Sequence, residues 1–223
     1  MAEYTLSIPT VGLTSPASFG SRAAITNLMK NGWDKYGRFF QFASKESGIP
    51  VKALFSFAVA ESGVNPNAGS GVTKGIMQTN YTYLKSQLEN EYKSGRLSDA
   101  EKSKLAAYGI KFDAKGNTRQ ITQADNLKPE LAILMGSIVL SQLVDQPWAK
   151  NGDNLRLDKI ITVYNTGLYS KWSKIAMASK SVNAKQLHDE LSGNTVSQSY
   201  IKKVMGINGI LDIATKELNN VIV

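Results

Sequence analysis

The sequence predicts a single, mainly α domain with one small β element, and three observations support this. First, 223 residues are enough to bury a core, and 42% hydrophobic with 20% charged residues is typical of globular proteins. Second, apolar residues recur at three- and four-residue steps along most of the chain, as in amphipathic helices. Third, only residues 110–121 resemble a short hairpin, with its turn at Lys115, Gly116 and Asn117.

The start of the chain differs in composition from the rest. Residues 1–20 are rich in Ser, Thr, Pro and Gly, so we expect an extended arm that packs on the domain or links it to something else. Residues 21–223 then form the domain. The helical pattern begins near Ala23, and Asp34 can cap a helix that runs toward Ser47.

The second helix is the most apolar one in the chain. Gly48 ends the first helix, and Pro50 suits the first turn of the second helix. It runs from Val51 to about Glu61 and is apolar on nearly all sides, which predicts a place in the middle of the domain. Residues 63–74, rich in Gly and Asn, form a loop.

Further helices are predicted after this loop. The hairpin segment between them could be mistaken for a calcium loop, but Lys115 and Arg119 stand where oxygen ligands are needed. The expected helices cover residues 83–93, 99–108, 129–144, 156–164, 171–178, 185–191, 195–204 and 210–218.

The composition limits the chemistry that the chain can perform. It contains no cysteine, which excludes disulfides, thiol nucleophiles and cysteine-based metal sites. His188 is the one histidine, and we expect it at the surface. Proton transfer therefore falls mainly to carboxylates, and we expect neither a metal nor a cofactor.

Charge and hydropathy suggest partners without identifying them. Lys and Arg exceed Asp and Glu by 26 to 18, a net charge of +8, which would attract nucleic acid, acidic lipid or an anionic cell wall. The lysines are scattered, so a solvated surface is the simpler interpretation. The apolar run of residues 131–144 is too short for a bilayer, which takes about 20 residues.

Glu61 stands out because it closes the apolar helix. An ionised carboxylate removed from water is costly unless it is paired, so burial would raise its proton affinity. A general acid at neutral pH needs that property. The alternative is that the side chain points into solvent, and its position along the helix does not decide between the two.

Four sequence motifs, in a fixed order along the chain, support a catalytic role for Glu61. The chain carries an E-S pair followed by a small-residue loop, then G-I-M-Q, V-Y-N-T-G and Y-I-K-K-V, at residues 61–68, 75–78, 163–167 and 200–204. These resemble the E-S, G-[LI]-M-Q, A-Y-N-x-G and Y-V-x-K-V motifs of the soluble lytic transglycosylases. The resemblance extends over about residues 39–204, including the helix that begins at Pro129.

The resemblance implies an α+β lysozyme-like fold with a substrate groove. It also implies cleavage of the β-1,4 bond between N-acetylmuramic acid and N-acetylglucosamine in peptidoglycan, leaving 1,6-anhydro ends. Glu61 would act first as acid and then as base. The remaining implied roles are acetamido or acid contacts for Ser62 and Asn165, sugar positioning for Gln78 and Tyr164, an apolar wall at Met77, support of Glu61 by Tyr200, and close backbone approach to the glycan at Gly75.

Three other functions stay open at this point. A goose-type lysozyme would share the acid but needs an Asp that activates water, and neither Asp113 nor Asp125 is obviously placed for it. A non-catalytic glycan-binding module would keep the fold without the reaction. Nucleic-acid binding through the basic surface lacks a recognisable motif.

The route to the cell wall is also an expectation. The N-terminus lacks the basic start and apolar stretch of a secretory signal. We therefore expect a virion-associated protein, or one delivered to the periplasm by another route. Its partners would be peptidoglycan glycan strands, and proteins of a virion or secretion apparatus that bind the N-terminal arm.

Overall fold

The computed structural model describes residues 4–6 and 12–222, and this part of the chain forms one mainly α domain. Two short 3-10 helices cover Ala17–Phe19 and Pro147–Ala149. The described residues contain eleven α-helices: α1 (Arg22–Ser47), α2 (Val51–Ser62), α3 (Tyr81–Lys93), α4 (Asp99–Ala107), α5 (Gln123–Asn126), α6 (Pro129–Val144), α7 (Leu157–Thr166), α8 (Lys171–Ala178), α9 (Ala184–Glu190), α10 (Thr195–Met205) and α11 (Ile210–Lys216).

The mainly α prediction is confirmed, and the predicted helices after α2 end within two residues of the observed bounds. The short helix α5 was not predicted, because four residues carry too little periodicity to be recognised. Within the described residues, no helix is both long and apolar enough to span a bilayer.

Helix α1 is longer than predicted. Its N-cap is Ser21, whose side chain accepts a hydrogen bond from the N–H of Ala24, so the prediction that Asp34 begins a helix is wrong. Asp34 lies inside the helix because nothing in the preceding twelve residues breaks it. Gly48 ends α1 in the left-handed conformation, φ 72°, as predicted.

Helix α2 lies in the centre of the main core, as its composition predicted. Every residue from Ala53 to Ala60 is buried. Phe55 packs edge-to-face between Trp33 and Phe40 of α1, with ring centroids 5.4 and 5.1 Å apart. α2 also packs against α10 and α11. The last turn of α2 therefore emerges from the core at a fixed position.

The small β elements lie elsewhere than predicted. The strands are β1 (Thr5–Leu6), β2 (Thr73–Lys74), β3 (Thr79–Asn80), β4 (Lys150–Asn151) and β5 (Asn154–Leu155). β2 pairs antiparallel with β3. β5 pairs antiparallel with β4 and parallel with β1.

The predicted hairpin at residues 110–121 is wrong, although its turn exists. The Asp113 carboxylate accepts hydrogen bonds from the N–H groups of Lys115 and Asn117, both at 2.8 Å. The flanking segments do not pair as strands. Ile110 and Ile121 are instead buried in a second apolar cluster beneath α3, α4 and α6, so core packing replaces strand pairing.

The described part of the predicted arm packs on the domain. The N–H of Ser15 donates to the carbonyl of Ile207 at 2.9 Å, and the N–H of Ile207 donates to the carbonyl of Leu13 at 2.8 Å. Leu13 is buried in the main core. Backbone pairing thus fastens residues 13–15 to the connection between α10 and α11.

His188 is less exposed than predicted, since its side chain is only 12% exposed. It lies on α9, which packs against α10. The Gln198 side chain of α10 donates to the His188 carbonyl at 2.8 Å, which holds the two helices together at this residue. His188 therefore lies at the surface only in part, because α10 packs against this part of α9.

A buried asparagine holds the β2–β3 hairpin in place. Asn126 is 0% exposed and accepts from the Thr79 hydroxyl at 3.0 Å. Its side-chain N–H₂ donates to the carbonyls of Lys74 at 3.1 Å and Thr79 at 2.7 Å. These bonds fix both strands relative to the end of α5. The segment between the strands, residues 75–78, thereby gains a rigid base.

We predict that Asn126→Ala destabilises the protein by about 2–4 kcal/mol, because a buried hydroxyl and two carbonyls lose their partner. Denaturant unfolding measures this. The exposed Asn27 of α1 provides the control, and Asn27→Ala should change stability by less than about 0.5 kcal/mol. Equal stability of Asn126→Ala and the parent would contradict the role given to Asn126.

Candidate active site

The carboxylate of Glu61 lies at the C-terminal end of α2 and is partly buried. Its Oε1 accepts a hydrogen bond of 2.5 Å from the hydroxyl of Tyr200 on α10. Among the described residues, none donates a hydrogen bond to the other oxygen, Oε2. One oxygen is therefore held by the protein while the other remains available to a ligand.

Burial changes the acidity of this group. Desolvation is the main cause that raises the pKa of Glu61 from 4.5 to about 7. The Tyr200 hydrogen bond and the positive charge of Lys203 act in the opposite direction, since both favour the carboxylate. Near neutral pH, Glu61 can thus both give and take a proton.

Tyr200 of α10 contacts Glu61, as expected, whereas Tyr164 of α7 binds protein groups and not a position open to a sugar. The Tyr164 hydroxyl donates to the carbonyl of Met77 at 2.7 Å, and its ring packs on Phe57 of α2 with centroids 5.5 Å apart. Burial raises the pKa of both tyrosines well above the usual range, and the nearby Glu61 charge adds to this. Both phenols therefore stay protonated and can donate hydrogen bonds.

The segment between β2 and β3 forms a tight turn. The Gln78 side chain donates to the carbonyl of Gly75 at 2.7 Å, and its backbone has a positive φ of 49°. Such strain in a non-glycine residue is typical of functional sites. Gly69 lies so close that an added Cβ would fall 2.5 Å from Gln78 Oε1. The amide of Gln78 is thus held in one orientation.

Gly75 has a different role from the predicted one. A Cβ at Gly75 would fall 1.9 Å from the carbonyl oxygen of Asn126, and the residue has a φ of +81°. Gly75 is itself buried. It therefore permits close packing of the turn against α5, and not the approach of a glycan.

Met77 and Ser62 also differ from their predicted roles. Met77 is 0% exposed and packs against Gly136 of α6, so its side chain does not form a wall that a ligand could touch. The Ser62 hydroxyl donates to the carbonyl of Ile76 at 2.8 Å and accepts from the N–H of Asn65 at 3.2 Å. Its proton is already used, so Ser62 ties the end of α2 to the loop.

Asn165 remains available to a ligand. It is partly exposed near the end of α7, and its side chain makes no hydrogen bond with any described residue. The next turn is held by hydroxyls: Thr166 lies 2.8 Å from Ser173 and accepts from Ser170 at 2.9 Å. The Asn165 amide is therefore presented from a fixed backbone.

A cavity of about 310 Å³ adjoins Glu61. Its lining includes residues to which the motifs gave no role, among them Phe19 from the N-terminal segment, Lys203 from α10 and apolar side chains of α1. Lys203 belongs to the Y-I-K-K-V motif, which is the only sequence signal for it. Phe19 lies outside the resemblance, so nothing in the sequence indicated it. Among the described lining residues, Glu61 is the one carboxylate.

The two aspartates considered as water activators are engaged elsewhere. Asp125 pairs with Arg119 at 2.7 Å and caps α5, and these bonds outweigh burial and lower its pKa. Asp113 is exposed and holds its own turn. Within the described residues, no group of three or more His, Asp or Glu side chains is arranged to hold a metal ion.

No protein-family model matches this sequence, and a search of curated proteins finds no match. The chemistry assigned to Glu61 therefore depends on its surroundings in the fold and on the four motifs. Hydrogen bonds join Tyr200 to Glu61 and Tyr164 to the turn that carries Gln78. The cavity at Glu61 itself is lined by neither of these tyrosines, nor by Gln78 or Asn165.

We predict that Tyr200→Phe raises the pKa of Glu61 above about 7, because it removes a hydrogen bond that favours the carboxylate. Carbon-13 NMR titration of the side-chain carboxyl measures this. Tyr83→Phe, at an exposed tyrosine of α3, is the control and should leave the titration unchanged. A pKa that falls in Tyr200→Phe would contradict the assigned geometry.

We also predict that Glu61→Gln becomes more stable relative to the parent as pH rises. The pKa of Glu61 is about 7 in the folded state against 4.5 without burial, so the stability that this group contributes is full below 4.5 and is lost as pH rises through 7. A glutamine at position 61 does not ionise, so the variant does not lose this stability as pH rises. Denaturant unfolding from about pH 4 to pH 8 tests it. A constant difference between the two proteins over that range would contradict the raised pKa.

Proposed function

We propose that this protein is a peptidoglycan lytic transglycosylase with Glu61 as its acid and base. The single supporting observation is a partly buried carboxyl, with a pKa near 7, that has no second carboxylate beside it in the described site. Glycosidases that act with two carboxylates hold them about 5–5.5 Å apart, or farther apart to admit a water. The motifs support the same choice.

The first step breaks the glycosidic bond. Protonated Glu61 gives its proton to the bridging oxygen, and the bonding electron pair leaves with the N-acetylglucosamine side as a hydroxyl. The acetamido oxygen of the N-acetylmuramic acid stabilises the positive C1. The substrate thus supplies the group that a second carboxylate would otherwise provide.

The second step closes a ring. The 6-hydroxyl of the same sugar attacks C1, and its proton passes to the Glu61 carboxylate, which restores the starting acid. The reaction is intramolecular and needs no water, so proximity supplies much of its rate. A group with a pKa near neutrality serves both directions of proton transfer, which fits the observed environment of Glu61.

Gln78 and Asn165 are the proposed sugar contacts. Both are partly exposed, and both lie on backbone that other bonds hold in place. Tyr164 supports this arrangement through the Met77 carbonyl, and Tyr200 orients the acid. A lysozyme-like fold with a groove at Glu61 is part of this proposal.

We predict that Glu61→Gln lowers the clearing rate of cell-wall suspensions by about 10²–10⁴-fold, the usual contribution of a general acid and base. Glu190→Gln, at an exposed carboxylate of α9, is the matched control and should clear walls like the parent. Clearing by Glu61→Gln at the parent's rate would contradict the mechanism.

The products distinguish the proposal from its two main rivals. Mass spectra of digested peptidoglycan should show ends lighter by one water than reducing ends. Reducing ends would instead indicate a goose-type muramidase, in which another group activates water. Binding to walls without any soluble product would indicate a non-catalytic glycan-binding module.

A further inference from the structure

Lys203 is placed beside Glu61 in an unusual environment. It lies one helical turn after Tyr200 on α10, and its Nζ donates to the carbonyl of Ala60 at 2.5 Å. This carbonyl belongs to the residue directly before Glu61. The ammonium group and the carboxyl line the same cavity. A cation is therefore fixed to the backbone that carries the acid.

Two aromatic rings hold the Lys203 ammonium group. It lies 4.4 Å from the ring centroid of Phe19 and 5.8 Å from that of Tyr200. Such distances are typical of cation–π contacts, which are strongest where water is excluded. Phe19 belongs to the segment that backbone pairing at Ile207 fastens to the domain. The N-terminal segment thus covers the cation from outside.

Lys203 is the only charged group among the described side chains that face Glu61. From α10 come Tyr200 and Lys203, and from α7 comes Tyr164, whose phenol stays neutral. The α1 residues of the cavity are apolar. Lys203 is therefore the one positive charge that acts on Glu61 among the described groups. Burial lowers the pKa of Lys203, whereas the Glu61 charge favours its ammonium form.

We propose that Lys203 is a positioning residue for Glu61: its ammonium group, held at the Ala60 carbonyl, stabilises the carboxylate that the second step requires. Burial alone favours the protonated acid of the first step and opposes the base of the second. The fixed cation offsets part of that effect without donating a proton to the substrate. This inference rests on the proposed function, because only that reaction requires Glu61 to act as a base in its second step.

The test is a carbon-13 NMR titration of the Glu61 carboxyl in the full chain, assigned with Glu61→Gln. Lys203→Met and Lys203→Gln should both raise the proton affinity of Glu61 by about fivefold, since each removes the charge. Lys203→Gln keeps a donor for the Ala60 carbonyl, so it separates charge from hydrogen bonding. Lys203→Arg, which keeps the charge, should titrate close to the parent.

Lys202→Met is the matched control, because it removes the same charge from the neighbouring position of α10. It should shift the titration much less than Lys203→Met does. An unchanged or lower proton affinity in both charge-removing variants, or an equal shift in Lys202→Met, overturns the proposal. Because the titration does not depend on activity, a shift without anhydro products would refute the proposed function and leave only the electrostatic effect of Lys203 on Glu61.

Discussion

A partly buried carboxyl at the end of a core helix is the constraint on which the site depends. α2 is buried over most of its length and packs against α10, and its Phe57 packs on Tyr164 of α7. Glu61 consequently stays in a poorly solvated position and must be stabilised there by partners. Tyr200 supplies a hydrogen bond, and Lys203 supplies a charge. The resulting pKa near 7 reflects burial partly offset by these two groups.

The turn between β2 and β3 depends on a second buried group. Asn126 connects both strands to α5, and Gly75 permits the contact by lacking a side chain. Tyr164 then binds the carbonyl of Met77 in the middle of that turn. Polar bonds to backbone atoms, and not apolar packing alone, fix the turn relative to the acid. Gln78 is placed by this scaffold.

Much of the fold and part of the site could be predicted from the sequence. The apolar helix ending at Glu61 was evident because burial on all sides leaves a continuous hydrophobic run. The prediction of a hairpin at residues 110–121 was wrong, since local turn chemistry does not reveal whether the flanking residues pair as strands or enter a core. The roles of Met77, Gly75 and Lys203 depend on contacts between distant segments. No local pattern carries that information.

The most direct test of the central claim is digestion of purified peptidoglycan in water labelled with oxygen-18. If Glu61 lets the sugar close on its own hydroxyl, the new ends are anhydro sugars and carry no heavy oxygen. Mass spectrometry of the soluble fragments shows this. Reducing ends that contain one heavy oxygen would mean that water attacks C1, and would contradict the account of Glu61 as a lone acid and base.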